Sequence, residues 1–198
     1  MEIKEDSSKV KQTKQILKDA FIELYRNKSI DKISVKEITT LTGLNRGTFY
    51  IHFKDIYDLL KQIENEFLHD VEELSNKILL FNDNTFEENF RNINTGFLEM
   101  LKYIEKRKTY VEVLLGENGD LSFARKFQNH TKQILYTYFK NIGLINNGIN
   151  EFNLEYISSG NMGIIIYWIE TGMKISVEEL TQMLGKFIFK GPLSSVSK

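Results

Sequence analysis

Apolar residues recur along this chain at three- and four-residue steps almost from end to end, the spacing that stacks side chains on one face of an α-helix. A first helix is predicted over about Thr13 to Asn27, with Ile16, Leu17, Ala20, Phe21, Leu24 and Tyr25 on its apolar face. Ser34 and Glu37 form an S-x-x-E capping box, so a second helix starts at Val35 and turns Val35, Ile38 and Leu41 inward. Gly43 marks its end, where a left-handed conformation costs glycine little. Asn45 is placed to cap a third helix, Arg46 to His52, that buries Phe49 and Phe53 with Ile51 as lesser support. Asp55 caps a long fourth helix from about Ile56 to Leu80, its stripe running through Ile56, Leu59, Leu60, Ile63, Phe67, Val71, Leu74 and Ile78.

The same reading continues to the C-terminus. Thr85 and Glu88 open a helix to about Glu105, carrying Phe86, Phe90, Ile93, Phe97, Leu101 and Ile104. Further helices are predicted over Arg107 to Leu115, Leu121 to Asn141 and Glu151 to Thr171, and a last one runs from the Ser176–Glu179 box to about Phe189. Turn-forming clusters separate them: NDNT (82–85), GENGD (116–120), IGLINNGIN (142–150) and Gly172. Residues from Gly191 onward are expected to fray. The run MGIIIYWI (162–169) would suit a strand by its isoleucines, but the flanking pattern is helical. It is too short to span a bilayer and reads as a buried helix segment. The fold class is all-α, with about nine helices and no convincing strand.

The second and third helices have the layout of a helix-turn-helix. The third presents Arg46, Thr48, Tyr50 and His52 away from its core side, and a helix serving only a core needs no polar group at all four places. The stretch TGLNRGTFYIHFKDIYDLL (42–60) strongly resembles the TetR family of bacterial transcription regulators, being close to T-G-x-x-x-G-T-[FL]-Y-x-[HY]-F. The likeness in residues covers about the first sixty; beyond them it lies in the helical pattern. It implies an N-terminal DNA-binding domain (1–54) and a C-terminal helical domain for regulation and dimerisation (55–198).

In a helix-turn-helix the second helix enters the major groove and its N-terminal residues meet base edges. Arg46 is therefore the candidate for direct readout, since a guanidinium grips guanine O6 and N7 as a fork. Thr48 suits a thymine methyl or a phosphate, and Gly47 lets the backbone come close. Asn45 can serve as cap or as base contact, the cap being favoured. Tyr50, His52 and Lys54 suit phosphates, the role that the resemblance also implies for them. Ser34 and Lys36, at the start of the preceding helix, add phosphate contacts beside exposed amides. The plainer alternatives are a half-buried core tyrosine at Tyr50 and a capping group at His52.

Charge agrees with this division. The 198-residue chain has a net charge of −1, but residues 1–54 hold 11 Lys and Arg against 7 Asp and Glu, a balance of +4, and residues 55–198 hold 15 against 20, a balance of −5. Cations gather where phosphates must be neutralised. Apolar residues at 41% and charged residues at 27% are ordinary for a globular protein. The chain has no cysteine, which excludes disulfides and thiolate metal sites and fits a reducing compartment. No secretory signal pattern opens the chain. A cytoplasmic protein without a membrane partner is expected.

One head reads one half-site, so a homodimer on a near-palindromic operator is expected. Its interface is placed on the last two long helices: Gly160 and Gly163 for close approach beside Ile164, Tyr167 and Trp168, facing Met183, Phe187 and Phe189. The alternative is that these residues are intramolecular core. The C-terminal part is rich in aromatics, and Tyr136, Tyr156 and Trp168 are candidates for lining a small-molecule pocket. The resemblance implies a repressor that such an effector releases from DNA. The stretch VLLGENGDLSFARKF (113–127) is similar to a subgroup that includes an activator of dihydroxyacetone kinase genes. That likeness implies a different arrangement, an activator or co-regulator binding a protein partner.

Enzyme signatures are missing from the sequence: no Walker loop, no G-x-G-x-x-G and no G-x-S-x-G. Glu66, His69 and Glu73 share a helix face by spacing, but a di-iron site needs two E-x-x-H sets and His130 has Phe127 three residues before it. The three read as a solvated face. No catalytic residue, metal or cofactor is expected.

Overall fold

In the computed structural model, helices begin where the sequence supplies caps. The helices are α1 (Glu2–Asn27), α2 (Val35–Thr42), α3 (Arg46–His52), α4 (Ile56–Leu79), α5 (Phe86–Lys106), α6 (Lys108–Leu115), α7 (Leu121–Asn141), α8 (Glu151–Glu170) and α9 (Val177–Lys190), with a 3-10 turn at Ile30–Lys32. The structure describes residues 2–79, 85–116, 119–145 and 148–191, and excludes the side chains of 2–7, 76–79 and 86. Among the described residues there is no strand. Several expectations fall outside this range: the helix end at Leu80, most of the NDNT break, parts of the next two breaks, the tail from Pro192, and the side chains of Ile78 and Phe86.

The capping boxes Ser34–Glu37 and Thr85–Glu88 both form in full. Asp55 Oδ1 accepts from the Asp58 N–H at 2.8 Å. At α9 only half of the expected box forms, Ser176 Oγ accepting from the Glu179 N–H at 3.1 Å. Two caps were not read from the sequence. Asp120 accepts from the Ser122 N–H, and Asn150 accepts from the N–H groups of Phe152 and Asn153.

Other corrections concern length and facing. α1 starts at Glu2, well before Thr13. Its early residues are mostly sound helix formers with no breaker among them. Residues 8–12 are exposed. The buried side of α1 is Leu17, Lys18, Ala20, Phe21 and Ile22, while Ile16 is 41% exposed. Ile16 lies one step of about 100° before Leu17, at the margin of that buried side. Leu41 likewise points outward at 52% exposure, leaving Ile38 as the buried apolar residue of α2.

The chain divides into two units, Met1–Phe67 and Leu68–Lys198. The division falls inside α4. The first part of α4 is fastened within the first unit: Gln62 Nε2 donates to the His52 carbonyl at 3.4 Å, and the buried Lys18 ammonium pairs with Glu66. Glu66, grouped in the sequence with His69 and Glu73, is thereby committed to an ion pair.

In the second unit Phe97, Leu101, Phe123, Phe127, Phe139, Ile165, Trp168 and Leu184 are buried. α5 packs along α9, and α7 along α8. A side chain at Gly185 on α9 would run into the Asn94 amide of α5, which would have to swing aside to admit it. The run 162–169 is helical, but it is buried on one side only. Met162, Ile165, Trp168 and Ile169 face inward, while Gly163 and Tyr167 are exposed.

Candidate nucleic-acid interface

The reading head is assembled from short-range instructions. Ser34 Oγ accepts from the Glu37 N–H at 3.3 Å, and the Ser34 N–H donates to Glu37 Oε2 at 2.9 Å. The Lys28 ammonium also binds Glu37. Lys28, then Ser34, hold the Glu37 carboxyl down from 4.5 to about 2. A depressed carboxyl contributes stability in full above its unfolded value and loses it as pH falls through the folded one. The stability difference between the native chain and Glu37→Gln is therefore expected to be constant above about pH 5 and to vanish as pH falls to about 2. Urea titrations of both proteins at pH 7, 4 and 2.5 check this; a gap that does not narrow with acid would refute it.

Gly43 ends α2 with φ +70°, in the left-handed region that a side chain disfavours. Asn45 then caps α3, its Oδ1 accepting from the Thr48 N–H at 2.8 Å and from Thr48 Oγ at 3.2 Å. A side chain at Gly47 would press on that same Oδ1 at 3.1 Å, so Gly47 protects the cap besides opening the surface. Phe49 and Phe53 are buried, with ring centroids 5.6 Å apart, and anchor α3 to its unit.

The outer side of α3 is accessible. Ser34, Lys36, Asn45, Arg46, Gly47, Tyr50 and Lys54 are exposed, and Thr48 and His52 are half-buried. Tyr50 is 58% exposed and stands edge-on against Phe49 at 5.5 Å, so it is not a core tyrosine. Ile51, expected to support the core, is 78% exposed. It lies two residues from both Phe49 and Phe53, on the far side of a short helix.

One cation was missed by motif reading. Lys14 of α1 lies over the Phe53 ring, 5.8 Å from its centroid. Burial, and then the Lys14 charge, hold the His52 imidazole below its ordinary value of 6.5. A neutral His52 at pH 7 can donate one hydrogen bond but adds no cation, and Lys14 supplies the charge beside it. Nothing in the motif marks Lys14, because its place next to Phe53 arises from the packing of α1.

A family model described as a TetR-type transcriptional regulator C-terminal region matches residues 91–190. The chain belongs to the TetR family. Its fold is similar to a TetR transcriptional regulator from Streptococcus agalactiae 2603V, with TM-score 0.62 and 20% identity over 92% of this chain and 97% of that one. FadR from Bacillus subtilis, solved in complex with stearoyl-CoA, matches with TM-score 0.66 and 16% identity over 89% and 98%. The dihydroxyacetone kinase operon activator DhaS matches with TM-score 0.57 and 22% identity over 89% and 93%. No curated protein sequence matches significantly. At these identities the solved structures carry the fold, and the family model carries the kinship.

On the regulatory side of this TetR chain, the three pocket candidates are not brought together. Trp168 is 2% exposed and its Nε1 donates to the Ile175 carbonyl at 2.9 Å, a core role. Tyr136 borders an open groove with Phe152 and Glu155, and Tyr156 borders another with Gly160 and Phe187. A different, largely apolar cavity of about 50 Å³ lies among Ser75, Ile93, Gly96, Phe97, Met100, Thr131, Ile134, Leu135 and Tyr138. Its polar groups are already engaged: Ser75 Oγ donates to the Val71 carbonyl, Thr131 Oγ to Phe127, and Tyr138 OH to Asn89. Of these residues, Ile93 and Phe97 belong to the apolar stripe read from the sequence for α5, which marks no space beside them.

Of the expected dimer residues, Gly160, Gly163 and Tyr167 are exposed, and Ile164, Met183 and Phe187 are half-buried. Trp168 and Phe189 serve their own chain, Phe189 against Phe90 with ring centroids 5.7 Å apart. Among the described residues no helix is long and apolar enough to cross a membrane.

Proposed function

We propose that this TetR-family regulator is a cytoplasmic homodimeric repressor. Two heads read a near-palindromic operator, and a small apolar molecule in the α5–α7 cavity releases them. The observation that carries the reading is the outer face of α3, where Arg46, Tyr50 and Lys54 stand clear of the core while Phe49 and Phe53 hold the helix from behind. Arg46 meets a base, and Ser34, Lys36, Tyr50, His52 and Lys54 meet phosphates. Asn45 works chiefly as the cap, leaving Thr48 and Gly47 beside the base edges. Selection of bound fragments from genomic DNA is expected to yield an inverted repeat whose half-sites lie about 34 Å, or a multiple of it, apart. Enrichment of direct repeats or of single half-sites would reject the paired reading.

The cavity favours an aliphatic effector. Its three hydroxyls already donate to backbone carbonyls, so a ligand gains little there beyond apolar contact. One water needs roughly 10–15 Å³ of such space, so 50 Å³ admits on the order of four non-hydrogen atoms without rearrangement. Short-chain alcohols and fatty acids, titrated against the DNA complex by fluorescence anisotropy, are expected to release it. Ile134→Trp should fill the space, preserve DNA affinity and weaken release about tenfold or more. Unchanged release in that variant would move the effector elsewhere.

A second reading, an activator with a protein partner, is favoured by the 87% exposed Phe152 at the open groove by Tyr136, and by the likeness to DhaS. Effector-independent DNA binding that a reporter reads as activation would select it.

A further inference from the structure

Helix α1 turns one side toward the rest of its unit, and Leu17, Lys18 and Phe21 are buried on it. Lys14 lies on the same side, over the Phe53 ring at the C-terminal end of α3. At about 100° and 1.5 Å per residue, Lys11 falls within about 60° of Lys14, one turn nearer the N-terminus. Lys9 falls about 140° from Lys14, toward the opposite side. The helix passes through both residues without a break, yet residues 8–12 are all exposed. The inward side of α1 thus runs on past Lys14 uncovered. The stretch SSKVKQTKQILK (7–18) holds four lysines and no acidic residue. Lys18 is committed to Glu66, whereas among the described residues no acidic side chain pairs with Lys9, Lys11 or Lys14.

We infer that the exposed turns of α1 are a second DNA-contacting element, in which Lys11, in line with Lys14, binds a backbone phosphate beside the stretch of groove that α3 reads. The inference rests on the DNA-reading head and goes beyond it, adding a contact from a helix outside the helix-turn-helix. Two observations select the phosphate backbone as the occupant. The lysine row continues the cationic end of the head, where Lys14, His52 and Lys54 already gather around Phe53. And Val10 is the single apolar residue among 8–12, too little for the apolar centre of a protein interface. A phosphate carries no base identity, so the contact strengthens binding and fixes orientation without choosing sequence.

Lys11→Gln tests the assignment, because glutamine keeps a sound helix former at an exposed place and removes only the charge. Anisotropy titrations of the full chain on a random-sequence duplex, at several salt concentrations, should show a salt slope lower than native by about 2 per dimer, one phosphate being lost from each head. Lys11→Arg should restore the native slope. Lys9→Gln removes the same charge from the other side of the helix and should leave the slope near native. On the operator recovered by selection, uncharged methylphosphonates placed one at a time outward from the half-site locate the contact. One position should weaken the native protein and leave Lys11→Gln unaffected.

A native slope in Lys11→Gln overturns the inference while leaving the head intact. Equal falls for Lys9→Gln and Lys11→Gln also overturn it, since net charge and no placed contact would then be acting. So does a methylphosphonate scan in which both proteins weaken alike at every position. A native protein that binds no duplex at low salt removes the DNA-reading head itself.

Discussion

Arg46→Ala is expected to cost about 1–3 kcal/mol per head against the operator and far less against random duplex, relaxing the preference at one base position of each half-site. The residue is exposed at the N-terminal end of α3, behind the Asn45 cap, where its long side chain can extend into a major groove. Its fork donates two parallel hydrogen bonds to guanine, and no other base offers that pair of acceptors. Lys54→Ala and Lys14→Ala should behave differently. They remove point charges, so binding should weaken alike on all sequences, with the salt slope falling by about 1 per lost phosphate contact. Anisotropy titrations on operator and scrambled duplexes at several salt concentrations separate the two patterns. Equal loss on both duplexes for Arg46→Ala would remove it from base readout.

Phe49→Ala is expected to destabilise the first unit by about 3–5 kcal/mol, a large share of what a small unit possesses. Phe49 is completely buried, it stacks near Phe53, and Tyr50 leans on its edge. Truncation leaves a cavity that a seven-residue helix cannot close by shifting. DNA binding should be lost even though no group facing the groove has changed. The single tryptophan, Trp168, lies in the second unit and reports on it separately. Its urea midpoint should move little while helix content falls at lower urea. Equal shifts by both probes would mean that the two units melt as one.

Much of the head was legible in advance because its instructions are local. Ser34, Glu37, Gly43 and Asn45 act on backbone within three or four residues of themselves, and each does in the structure what its chemistry predicts. Phe49 and Phe53, four apart, come round to one side of the helical turn, and both are buried there. Ile51 and Leu41 were misread for the opposite reason. Apolar character marks what can be buried, whereas a seven- or eight-residue helix has only one side to bury. Lys18 shows the same limit from the polar side. Its burial depends on Glu66, 48 residues away, and no local pattern announces that pairing.

The regulatory half divides along the same line. Helix positions in α4 to α9 followed from periodicity and caps, which are properties of neighbouring residues. The surroundings of the aromatic side chains did not. Tyr136, Tyr156 and Trp168 are each aromatic and on long helices, but Trp168 found a carbonyl and the other two turned outward. A small apolar cavity lies instead between α5 and α7, beside residues that look like ordinary core. The chain by itself thus determined the helices, their ends and the chemistry presented by α3, since these depend on interactions a few residues long. Only the tertiary structure decided which apolar residues remain outside and where a cavity is left. Those are sums over contacts from distant segments, and a residue's own character enters them as one contribution among many.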